Sequence, residues 1–198
     1  MEDVIRFFAE YKNISVIIHV LSVIVGMGAA LVSDILFNVY IHNKKISKGE
    51  NRTLAILSDI VWVSLCFIVA SGIALFLSDP ITYGYSVKFL IKMTIVGVII
   101  VNGYLFWHLI HPSLEKINFT DVNIHHKYVK LRKVSFILGA ISLVSWLSAF
   151  VLGMLGHMPL SYLEAIVGYV AICFGGILFS QVVEYKMTHG KSNQRRRN

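Results

Sequence analysis

Polar and apolar positions along this chain do not alternate; they segregate into long blocks. Five apolar runs are separated by short polar stretches. At about 1.5 Å per residue, a run of about twenty residues crosses a hydrocarbon core of about 30 Å as a helix. The pattern predicts spans over Asn13–Ile41, Thr53–Ser78, Val87–Ile110, Val134–Met154 and Leu163–Glu184. Within hydrocarbon every backbone polar group must be satisfied inside its own segment, so the fold class is all-α. The expected architecture is one domain over residues 1–198, a polytopic bundle of five transmembrane helices. Pro112 stops the third run, and Asn118–Asn123 reads as loop. A short surface helix near Tyr128, lying on the headgroups, is expected in the His111–Lys133 connection.

Composition agrees with hydrocarbon as the solvent, since 56% of the 198 residues are apolar and 15% are charged. The formal charge of +7 would fit nucleic acid if the basic residues formed a folded basic face, but they follow the loops instead. Lys44, Lys45, Lys48 and Arg52 lie between the first two spans; Lys116, Lys127, Lys130, Arg132 and Lys133 between the third and fourth; Arg195–Arg197 in the tail. The loops Asp79–Ser86 and Leu155–Tyr162 have none. Positive-inside bias therefore predicts a multi-pass cell-membrane protein, N-terminus outside and C-terminus cytoplasmic, that meets lipid and no nucleic acid. Met1–Lys12 carries Glu2, Asp3, Arg6, Glu10 and Lys12 and does not read as a cleaved signal, so the first helix is expected to stay. The short outer loops leave no room for a receptor ectodomain. Cys66 and Cys173 fall mid-span as packing residues.

Lipid tails are as apolar as leucine, so small residues that let helices approach are the packing signal. Ser22, Gly26 and Ala30 share one face of the first span with His19, and Asp34 borders it. That face is expected to point inward. Ionisable groups at membrane depth are costly, and each is a functional candidate. His19 offers an imidazole nitrogen suited to haem iron or a transition metal. A hydrogen bond to a neighbouring helix is the plainer use. Lys92 either snorkels or acts as a catalytic or binding cation. Asp34 and Asp59 sit at similar depth on consecutive antiparallel helices, with Asn102 on the third. Contact between the two carboxylates would make them share a proton, bind a cation or simply fix an interface. His108, His111, His125 and His126 have no recognised zinc spacing.

Two stretches, Ile18-His19-Val20-Leu21-Ser22-Val23-Ile24-Val25-Gly26-Met27 and Phe89-Leu90-Ile91-Lys92-Met93-Thr94-Ile95-Val96, resemble the HemJ-type protoporphyrinogen oxidases and their relatives among CopD-like membrane domains. The resemblance implies a membrane bundle that binds haem b, with His19 on the iron and an essential polar role for Lys92. Ser22 and Gly26 would then give the flat ring a smooth wall, and His157 or Met158 from the last outer loop is the candidate second ligand. Three functions stay open. The first is a haem protein in electron transfer or oxidoreduction, served by a quinone or another membrane redox protein. The second is a proton- or cation-coupled carrier using Asp34, Asp59 and Asn102 behind His19 and Lys92. The third is a non-catalytic subunit of a membrane complex, and homo-oligomers are compatible with all three.

Overall fold

The computed structural model describes residues 2–41, 45–117, 119, 126–156 and 158–195, with side chains as far as Thr188. His157 lies outside the described residues. Among those described, seven α-helices are present and no strand: α1 (Glu2–Glu10), α2 (Lys12–Ile41), α3 (Lys48–Ser78), α4 (Pro80–Gly84), α5 (Val87–Leu105), α6 (His126–Met154) and α7 (Tyr162–Arg195). Five helical segments are long and apolar enough to span a membrane: Lys12–Ile41, Lys48–Ser78, Val87–Lys116, His126–Met154 and Tyr162–Thr188. The protein is therefore a multi-pass membrane bundle.

Helix starts follow from capping rather than hydropathy. α3 begins at Lys48, ahead of the apolar run, because Ser47 and Glu50 form a capping box: the Ser47 amide donates to Glu50 Oε2 (2.7 Å), and the Glu50 amide donates to Ser47 Oγ (3.3 Å). The same device starts α7, where Ser161 Oγ and its amide both donate to Glu164 Oε2 at 2.8 Å. Glu164 is thus a capping residue. At the end of α5 the helix widens into a π-turn over Phe106–Ile110, then tightens to a 3-10 turn over His111–Lys116 as Pro112 removes a donor.

α2 packs along α3, and α5 along α6, which also carries α7. The small-residue face of α2 points inward, with Gly26, Ala29 and Ala30 buried. On α5 the inward stripe is Ile91, Ile95, Ile99 and Asn102, spaced three and four apart as one helical face requires. Asn102 Nδ2 donates to the Leu138 carbonyl of α6 at 3.1 Å. α6 and α7 are joined by an ion pair buried on both sides, Arg132 Nε to Glu184 Oε1 at 2.6 Å. The bundle has two apolar cores. One lies in the half next to α4, around Leu65, Ile95, Ile99 and Trp146.

The other core closes the opposite, basic end around Ile41, Ile46, Leu54 and Ile110. It corrects an expectation. The α5–α6 connection does not place a surface helix at Tyr128, which lies within α6. Its 3-10 turn and the residues after it tuck under the bundle, leaving Leu114, Ile117 and Phe119 almost fully buried. Four apolar side chains spaced along Ile110–Phe119 gain more by joining that core than the turn gains by lying on headgroups.

Candidate functional site

α3 and α5 touch at two levels and separate between them. Near the basic end the Trp62 ring covers Gly103, so closely that a Cβ there would sit 3.5 Å from its Cζ2. At the α4 end Phe76 stacks on Phe89, with ring centroids 5.4 Å apart and an interplanar angle of 19°. Each helix runs fourteen residues between the two contacts, roughly 21 Å at helical rise. Between them lies a cleft of about 560 Å³, walled by α2, α3, α5 and α6, within the ~300–1,000 Å³ usual for ligand and cofactor sites. Its floor is Leu65, Ile99 and Trp146. Among the described residues two ionisable side chains line it, His19 from α2 and Lys92 from α5. Sequence alone had singled out both.

His19 is held in one tautomer. Its Nδ1 lies 3.0 Å from Ser71 Oγ on α3. Ser71 has one hydroxyl proton, and that proton goes to the helix's own carbonyls, Phe67 O at 2.5 Å and Ile68 O at 3.2 Å. With the Ser71 proton assigned to those carbonyls, the serine oxygen accepts and the imidazole proton is assigned to Nδ1. The Ile68 backbone also accepts from the ring, and with the proton on Nδ1 the Nε2 atom keeps its lone pair. A hydrogen bond from the other ring nitrogen of this kind is what orients a ligating histidine.

Lys92 lies within electrostatic range of His19 and of Lys88 one turn away. Among the described residues no acceptor lies within hydrogen-bonding distance of its Nζ. Lys88 is occupied elsewhere, donating to the Leu155 carbonyl. Like charges four residues apart on a helix repel. With Lys92 unneutralised beside an apolar cleft, the arrangement favours an anionic group.

Other candidates fall outside the cleft. Gly26 does not line it: a Cβ at that position would lie 2.9 Å from both Ser64 Cβ and Trp146 Cη2, so this glycine lets α2 meet α3 and α6. Ser22 Oγ is turned back onto the Ile18 carbonyl at 2.7 Å. The expectation that both form a wall for a flat ring is corrected on these grounds. Met158 packs against the first core, whereas the soft donors on the cleft walls are Met93 and Met154. The expected Asp34–Asp59 contact is not formed. Among the described residues Asp34 Oδ2 is buried without a partner and meets no charged neighbour, while Asp59 is exposed and acts electrostatically on His111. Similar depth is insufficient because one carboxylate is turned into the bundle and the other out of it. Asn102 is committed to the α5–α6 contact through its amide nitrogen.

Among the described residues no three His, Cys, Asp or Glu side chains converge where a bare metal ion would sit. Ser71, Trp146 and the Phe76–Phe89 stack were not singled out from sequence. The seven-residue spacing of Ser64 and Ser71, both buried, is the signal that would have placed Ser71 on the inward face of α3. Comparison of the chain with protein-family models, with curated proteins and with solved structures gives no match.

Proposed function

We propose that this is a haem b-binding protein of the cell membrane, N-terminus outside, acting in electron transfer or oxidoreduction with His19 as an axial ligand. The observation that carries the reading is the bare Nε2 of His19, fixed by Ser71 and open to an apolar cleft whose other ionisable group is Lys92. The likeness of the His19 and Lys92 segments to HemJ-type and CopD-like proteins supports it. So does the donor set: with one imidazole and no converging ligands, a metal has to bring most of its ligands with it, as a macrocycle does.

His19 Nε2 would hold the iron, with Met93 or Met154 as the soft donors available for a second position. Lys92 would neutralise a carboxylate at low dielectric, where a charge pair is stronger than in water. The apolar walls keep water from the site. A bound haem supplies one-electron redox chemistry, with a membrane quinone or a second redox protein as the electron partner. The ion-coupled alternative is left without its inner site, because Asp34 and Asp59 stand apart.

Protein produced with ample haem and purified in mild detergent should show a Soret band in the ~400–430 nm region that sharpens on reduction, as imidazole-ligated haem does. His19→Ala should lose it while the span still inserts. Lys92→Ala should retain more haem than His19→Ala but with a lower reduction potential, since loss of a nearby cation favours the oxidised iron. A wild-type protein that stays colourless after haem addition sinks the reading.

A further inference from the structure

The walls of the cleft are continuous with the outside of the bundle. Val20 and Ile24 on α2, Ile73 on α3, Met93 on α5 and Met154 on α6 line it and are exposed. In a membrane that outside is acyl chain. The α4 end is not the way in, because the Phe76–Phe89 stack, Tyr83 against Phe89 at 5.9 Å and Lys12 over the Tyr83 ring at 5.9 Å cover it. What fills the cleft therefore arrives sideways, through a slot between the helices that wall it.

Moving an apolar body from bilayer to an apolar cleft gains little, since lipid tails and leucine side chains are equivalent solvents. Affinity must come from the polar groups, and the cleft offers one bare acceptor, His19 Nε2, and one cationic donor, Lys92 Nζ. A carboxyl group is the complement of that pair. Its O–H donates to Nε2 and its second oxygen accepts from Nζ; if the proton passes to the imidazole, the carboxylate lies between two cations. We propose that the cleft binds a fatty-acid-like amphiphile drawn laterally from the bilayer, with its carboxyl group on His19 and Lys92 and its chain along the slot toward Trp146. This holds whether or not a haem also uses the cleft. Where both are present they compete, because each sets a carboxylate on Lys92.

Trp146 reports occupancy of the floor. In full-length protein carrying Trp62→Phe and Trp107→Phe, reconstituted in unbrominated phosphatidylcholine vesicles, 9,10-dibromostearate should quench Trp146 saturably. Its half-saturating mole fraction should be at least about tenfold below that of the methyl ester, a ratio that one charge-assisted contact supplies. Lys92→Gln should remove the preference for the acid, and Lys92→Arg should keep it. Absence of quenching by either probe, equal action of acid and ester on the native lysine, or a preference that survives Lys92→Gln each overturns the proposal. Should Lys92→Gln fail to insert, the acid–ester comparison on the native lysine and on Lys92→Arg decides. A protein that prefers the acid yet takes up no haem loses the haem reading alone; a haem protein indifferent to the acid loses only this one.

Discussion

A single hydroxyl proton determines what His19 can do. Because Ser71 gives its proton to the α3 backbone, it can only accept from the imidazole, and Nε2 is the nitrogen left for chemistry. Ser71→Ala should leave the fold intact but weaken haem retention roughly 10–100-fold, the usual cost of losing an orienting partner, with Ser71→Thr restoring it. Haem titration followed at the Soret band measures this, and a change in the band's ligand-field signature separates mispositioning from simple unfolding. Two glycines on α2 give the matching test of packing. Gly26→Ala forces a Cβ into Ser64 and Trp146 and should cost about 1–3 kcal/mol, whereas Gly28→Ala meets nothing within 4 Å and should be close to neutral in denaturant unfolding. His19 and Lys92 were legible in the sequence because an ionisable side chain in an apolar run stands out. Ser71 was not, since a serine in a membrane helix is ordinary until its neighbour is known. Asp34 and Asp59 misled for a related reason: depth can be counted along a helix, but azimuth against a neighbour depends on how the helices pack.

The helices themselves were written in the hydropathy. The five apolar runs became five spans, and a local device displaced one bound: the Ser47–Glu50 capping box brings α3 forward to Lys48. α1 was missed as an element. Its Val4 and Phe7 stay exposed while it packs over the end of α3, a short amphipathic turn of chain suited to the membrane interface. The α6–α7 contact depends on a buried ion pair, so removing one member should hurt more than removing both. Arg132→Met is expected to destabilise by about 3–5 kcal/mol by stranding Glu184, and Arg132→Met with Glu184→Leu to recover most of it. Thermal unfolding in detergent would show the difference. At the other end Asp79 caps α4 by accepting from the Thr82 amide, and the Thr82 hydrogen bonds, with Lys12 adding its charge, hold its carboxyl below the usual range. A depressed pKa means that the cap's contribution is full above the ordinary carboxylate range and is lost as pH falls through the lower folded value. Hydrogen-exchange protection over Pro80–Gly84, taken relative to the intrinsic rate at each pH, should therefore hold above the ordinary carboxylate range and fall below it. Asp79→Asn should keep the cap and flatten that pH dependence.

For the molecule as a whole, the proposed orientation rests on charge: positive-inside bias would put the loops and tail rich in Lys and Arg in the cytoplasm. A reporter active only there should work after Lys48, after Lys127 and at Asn198, and fail at Tyr83 and at His157. Activity at His157 would invert the assignment of the last helix. Among the described residues the interior sets serine, alanine, glycine and a buried ion pair beside isoleucine and leucine, while further valine, isoleucine, leucine and phenylalanine cover the outside. Natural variation should consequently differ from that of a water-soluble domain, because apolar character does not separate inside from outside. Drift among bulky aliphatic residues is free on the surface, and conservation gathers on the small and hydroxyl-bearing residues inside, so a substitution scale derived from soluble proteins would misjudge which changes this chain tolerates.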